Sequence, residues 1–216
     1  MLDITLLYIR SEAIVEFISE HPVKWYSLQS AKRGDILTPT PAVSVFFDLL
    51  RKKGELFTQE EYIEECRREW PEWFEEHKEI EEYLEARLGR NFYPSCIDSL
   101  HFFSLAVESG YFDKCLLNTV VDAVGKVDLV LFSKKWSEPV NVALQVGTKE
   151  AERRRIYKDT FRKKTPVKVY TVVLPVSRPR RPGNKRWYKL EDVLQLIKQV
   201  EQNQQESKRW PTVQSL

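Results

Sequence analysis

Three polar residues in the middle of the chain, Asp128, Gln145 and Lys149, have types and spacing suited to phosphodiester chemistry. Hydrolysing a phosphodiester near neutral pH needs a hard cation to hold the phosphate and lower the pKa of an attacking water, and a positive group to meet the developing charge. Carboxylate, amide and carbonyl oxygens suit Mg2+ or Mn2+, and a lysine suits the second role. Asp128 stands among β-branched and large apolar residues at positions 127–132. Burying it without a partner is costly, which favours a bound cation or a basic neighbour. Strand period two puts Gln145, Gly147 and Lys149 on one face, with Val142, Leu144 and Val146 on the other. Gly147 lets a phosphate or a long side chain approach the backbone, and Lys149 opens a helical pattern whose first N–H groups favour an anion. Each residue also has a structural alternative. Asp128 is then a strand residue paired with an arginine, while Gln145 and Lys149 are a solvated strand end and a helix start. Asp122 is a fallback ligand, although Asp beside a hairpin is most often a turn former.

The elements that must hold these residues follow from hydrophobic periodicity. Residues 2–9 are apolar and β-rich, and Ser11 is placed to cap a short helix to about Glu20. Residues 24–41 read as loop or extended structure, and residues 41–53 as a helix stopped by Gly54. Thr58 and Glu61 make a capping box for the next helix, to about Trp70. This pair resembles a helix-turn-helix, but its second helix is too acidic for easy major-groove reading, and a structural helical subdomain is the alternative. Residues 71–90 continue as an acidic helical stretch, and residues 89–94 read as a break and a domain boundary. Ser95 then caps a helix to about Ser109; strands follow at 116–123, 127–132 and 140–146, a helix at 149–161 and a strand at 167–174. A closing helix at 190–200 carries Leu190, Val193, Leu194, Ile197 and Val200 at helical spacing, and the polar run from Gln202 reads as a frayed tail. The division is a mainly helical region 1–94, an α/β core 95–205 and a tail 206–216.

Composition narrows the class. A chain of 216 residues, 42% apolar and 12% aromatic, supports a folded core. No apolar run approaches the roughly 18–20 residues that span a bilayer, and no secretory signal pattern opens the chain, so a cytoplasmic protein with no membrane partner is expected. Cys66, Cys96 and Cys115 are odd in number and far apart, which fits reduced thiols. His21, His77 and His101 form no close pair, and no Walker loop, nucleophile elbow or GxGxxG occurs. The net charge of +2 conceals an asymmetry: residues 58–90 hold twelve glutamates against five Lys or Arg, and residues 149–189 hold fifteen Lys or Arg against three acids. Arg153, Arg154, Arg162, Lys163, Lys164, Arg180, Arg181, Lys185 and Arg186 form a basic track suited to phosphates, with Trp187 or Tyr188 able to stack on a base. The alternative is a solvated basic surface with its aromatics in the core.

The segment 95–175 resembles the core of the PD-(D/E)xK nuclease superfamily. The resemblance rests on Ser109-Gly110-Tyr111 at a helix end, Gly125-Lys126-Val127-Asp128 in a hairpin, and Leu144-Gln145-Val146-Gly147-Thr148-Lys149 before a basic helix. It implies a restriction-endonuclease-like α-β-β-β-α-β core, a central mixed sheet flanked by helices, behind the helical N-terminal region. It further implies a DNA endonuclease dependent on Mg2+ or Mn2+, with Asp128 as principal ligand, Gln145 as second, the Val146 carbonyl as a further oxygen, and Lys149 stabilising charge. DNA is favoured over RNA, and a homodimer is suggested by relatives. Gln145 stands where the family usually has an acid, and Gly147 where it has the catalytic lysine. A helix acid is also common in the family; here the corresponding place is near Ser99, with Asp98 beside it. Arg153 and Tyr157 lie four apart on the following helix, where some relatives use polar residues to support the site; the alternative is simple surface and core positions. The alternatives are a catalytically inactive DNA-binding or assembly subunit on the same fold, and a protein-interaction module.

Overall fold

The computed structural model describes residues 8–24, 38–117, 127–147, 169–175 and 186–209. The protein is α/β: helices precede a four-stranded mixed sheet, and a last helix closes the described chain. Helix α1 (Ser11–Glu20) starts without a side-chain cap, because the Ser11 amide and hydroxyl both turn to the Glu108 carboxylate. The expected cap residue serves a tertiary contact instead.

Helix α2 (Ala42–Lys53) stops at Gly54, which takes φ 73°, a left-handed conformation that glycine adopts without a Cβ clash. Helix α3 (Gln59–Glu69) opens on the expected capping box of Thr58 and Glu61. The next stretch differs from a single helix. It comprises α4 (Pro71–Glu76), a 3-10 turn (Lys78–Ile80), α5 (Glu81–Arg87) and a π-helical segment (Leu88–Phe92) that leads directly into α6 (Tyr93–Glu108). The backbone therefore stays helical through the expected break. Pro94 sits in the first turn of α6, where its missing N–H is no loss, and Ser95 lies inside the helix rather than at its cap.

Helix α6 is buried on most sides and stands between the other helices and the sheet. On one side Phe46, Phe57, Tyr62 and Tyr93 form an aromatic cluster, with the Tyr93 hydroxyl donating to the Phe57 carbonyl at 2.6 Å. Buried residues on both sides of position 94 belong to one apolar cluster running from Ile14 to Val200.

The sheet has the order β1 (Lys114–Leu117), β2 (Leu129–Phe132), β3 (Val140–Gly147), β4 (Val169–Pro175). The first two pairings are antiparallel and β3–β4 is parallel. The registers put Cys115, Leu117, Leu129, Leu131, Val140 and Val142 on one face, all buried in that cluster. Helix α7 (Leu190–Arg209) packs on α6 and β4 through Val193, Leu196, Ile197 and Val200. It runs past the expected end near Val200, because helical propensity in the polar run needs no apolar stripe to continue. Leu190 and Leu194, which share the helical spacing of these residues, are exposed. Among the described residues no helix is long and apolar enough to cross a membrane.

Candidate functional site

Strand β3 runs past its last pairing with β2, at Val142, before it ends at Gly147. Beyond that pairing the backbone of β3 needs other partners on the β2 side. Asp128, one residue ahead of β2, supplies them: its amide donates to the Val142 carbonyl at 2.8 Å, and its carboxylate accepts the Leu144 N–H at 2.7 Å. Asp128 is thus half-buried at the open end of the sheet, one strand across from Gln145, which is also half-buried and paired in register with Val173. The sequence expected Asp128 within a strand; it instead caps the ladder where the strand begins.

Helix α6 carries a second carboxylate, Asp98. Asp98 and Phe102 are four apart on that helix and so share a face. Phe102 packs edge-on against Tyr188 at 5.2 Å between ring centroids. His101 packs similarly on Trp187 at 4.8 Å. Both Trp187 and Tyr188 are buried, so they lie in the core and do not stack on a base. This bears on the aromatics alone: aromatics beside arginines suggest a stacking surface, but a long-range contact with α6 covers them.

Tyr188 is buried against Phe102. Burial pushes its phenol well above the ordinary value; the charges of Asp98 and Asp128 push the same way, a backbone hydrogen bond at Gln145 opposes them, and Asp192 adds to the rise. Asp192 is itself buried and accepts the Lys189 N–H at 2.7 Å in the first turn of α7. The charges of Asp98, Asp128 and Asp192 therefore act in the same direction as burial, and the phenol stays protonated.

The basic candidates are distributed differently. Arg186 is half-buried just before Trp187. Lys149, Arg153, Arg154, Arg162, Lys163, Lys164, Arg180, Arg181 and Lys185 lie outside the described residues, as do Asp122 and Tyr157. The structure thus puts the Asp128 carboxylate on the Leu144 amide, next to Gln145 in β3; Asp98, the acid that the sequence named beside the family's helix position, lies on α6, and Tyr188, which the sequence offered as a stacking ring, lies in the core. The i,i+4 relation of Asp98 to Phe102 was readable, but the tyrosine that packs on it lies 86 positions further on.

Among the described residues no group of three His, Cys, Asp or Glu side chains gathers closely enough to hold a metal ion alone. Mg2+ needs less from the protein, since it keeps several waters and takes one or two carboxylates. The hard oxygens of Asp128 and Gln145 fit that demand. Comparison with family models, curated proteins and solved structures gives no match to this chain.

Proposed function

We propose that this chain is a nucleic-acid-binding protein on a PD-(D/E)xK-type core, which hydrolyses DNA phosphodiesters with Mg2+ or Mn2+. The observation that carries the reading is the Asp128 carboxylate fixed on the Leu144 amide, next to Gln145 in sequence, at the end of a sheet with two antiparallel pairings and one parallel one. A bound divalent ion would supply the Lewis acidity and the activated water. The chain's own residues do the rest. Asp128 offers carboxylate oxygen, Gln145 offers amide oxygen, and Asp98 strengthens the negative field that attracts the ion. Lys149 would meet charge developing on the phosphate, and the basic track from Arg153 to Arg186 would hold the sugar-phosphate chain by charge.

A second reading keeps the fold and the nucleic acid but removes the chemistry. Its support is specific: the Asp128 carboxylate already accepts the Leu144 amide, and Gly147 occupies the place where the family has lysine. The same protein would then be a DNA-binding or assembly subunit.

The test is incubation of plasmid and branched DNA with Mg2+ or Mn2+, beside a binding assay across salt concentrations. Cutting that disappears in Asp128→Ala and Lys149→Ala supports hydrolysis. Salt-sensitive binding without cutting supports the second reading. Absence of binding at low salt overturns both, and leaves the acidic helices and the basic tract to pair with another protein or a second copy. Sedimentation of the same samples reads the homodimer that the fold proposal carries with it.

A further inference from the structure

Helix α1 has two working faces. Ile14 and Ile18, four apart, are buried in the core, whereas Ala13, Glu16, Phe17 and Glu20 recur at the i, i+3, i+4, i+7 spacing of a second face. That second face lines an open groove of about 470 Å³, which Glu55 and Leu56, between α2 and α3, line as well. Ala13, Phe17 and Leu56 are half-buried and form its apolar floor, while Glu16, Glu20 and Glu55 are exposed. Where Tyr8 and Ile9 border it the groove is fixed to α6: the Tyr8 hydroxyl donates to Glu108 at 3.0 Å, and the Ser104 hydroxyl donates to the Ile9 carbonyl at 2.6 Å.

The charges of this groove set it apart from the neighbouring acidic surface. On α3, Glu60 pairs with Lys24 at 2.5 Å, Glu61 with Lys53, and Glu65 with Lys52 at 3.4 Å. Among the described residues Glu16, Glu20 and Glu55 enter no ion pair. Unneutralised carboxylates beside an apolar floor complement an occupant of the reverse composition, with apolar side chains bordered by Lys or Arg. A sugar-phosphate chain is repelled by the same carboxylates. A bare metal ion is not served either, since no three acids among the described residues gather closely enough to hold one. At ten residues α1 is about 15 Å long, which matches roughly two to three turns of a second helix.

We propose that this groove docks a basic amphipathic helix of a partner protein, whose apolar side chains pack on Phe17 and Leu56 and whose Lys or Arg residues meet Glu16, Glu20 and Glu55. The mode is that of a helix laid into a groove, with anchors at helical spacing. It is independent of the Asp128–Gln145 reading and of any chemistry at the sheet.

The test is fluorescence anisotropy of a labelled Leu/Lys amphipathic helical peptide titrated with the full chain, beside Ser/Lys and Leu/Glu peptides of the same length. The expected result is saturable binding of the Leu/Lys peptide, weaker binding of Ser/Lys and none of Leu/Glu. Glu16→Gln combined with Glu20→Gln should weaken binding roughly threefold to tenfold, and Ala13→Phe, which fills the floor without changing charge, should weaken it too. Glu72→Gln combined with Glu76→Gln, exposed on α4 outside the groove, should leave it unchanged. No binding by wild type overturns the proposal, as does unchanged affinity in the Glu16 and Glu20 variant. Equal loss in the α4 variant reduces the effect to general acidity, and equal binding of the Ser/Lys peptide removes the apolar floor; either overturns the docking site. Self-association in sedimentation that disappears with the Glu16 and Glu20 variant gives the groove to a second copy and overturns the partner. Thermal melting accompanies each variant, and if the double Gln variant does not fold, Glu55→Gln decides: weakened binding supports the groove, and unchanged binding overturns it.

Discussion

The Asp128 carboxylate accepts the Leu144 amide at 2.7 Å, so one residue both finishes the β2–β3 ladder and stands at the candidate site. The two duties separate by substitution. Asp128→Asn keeps an oxygen for the Leu144 N–H and loses the charge, whereas Asp128→Ala loses both. Asn should change stability by less than about 1 kcal/mol, and Ala should cost about 1–3 kcal/mol as a half-buried amide loses a charged acceptor. Both should abolish Mn2+ binding. Equal stability of the two variants by urea denaturation would show that the hydrogen bond contributes little. Retained Mn2+ binding in Asp128→Asn would remove the carboxylate from the site.

The signals that were local proved legible. Gly54 as a helix stop, the Thr58–Glu61 box, and the strand of β3 each depend on neighbours within a few residues. What escaped depends on long-range packing. Nothing near Tyr188 reveals that Phe102 will cover it, and the basic residues beside it suggest the opposite. The helical passage through Gly89 is similar: glycine and a following proline suggest a break, but α6 places that proline where a helix tolerates it. Ser11 could cap a helix, yet Glu108 of a distant helix end takes its hydroxyl.

The α2–α3 corner gives a stability prediction independent of any ligand. Gly54 holds φ 73° with no atom within 4 Å of an added Cβ, so alanine there meets backbone strain and no clash. Gly54→Ala should cost about 1–2 kcal/mol, and Thr58→Ala about 1 kcal/mol through loss of the cap. Both should lower the denaturant midpoint at unchanged slope. A change in slope would mean that the corner influences the compactness of the unfolded chain.

The buried thiols set a pH dependence. Burial pushes Cys66 and Cys115 from an ordinary 9.0 up to about 12, so the folded chain holds these protons more tightly than the unfolded one. Their contribution is complete below pH 9, and is lost as pH rises from there toward 12. Tyr62, Tyr93 and Tyr188 are raised above 10 by burial first and act in the same direction. Each group that ionises only on unfolding removes up to about 1.4 kcal/mol per pH unit. Denaturation midpoints should be level between pH 7 and 9 and fall above it, with a shallower fall in Cys66→Ala combined with Cys115→Ala. A level profile to pH 11 would contradict the burial of these side chains.

Trp187 allows the core and the basic surface to be told apart. It is 6% exposed, in edge contact with His101 at 4.8 Å, and joined to the apolar cluster that includes α6 and α7. Removing such a ring leaves a cavity, and Trp187→Ala should cost about 3–5 kcal/mol. Nucleic-acid affinity per folded molecule should barely change, because a buried indole offers no face to a base. Arg186→Ala should do the reverse: a small stability change, and a DNA-binding salt slope lower by about one, as expected for a single phosphate contact. If Trp187→Ala remains stable and loses binding instead, the indole belongs to the nucleic-acid surface and the packing of 186–189 against α6 must be redrawn.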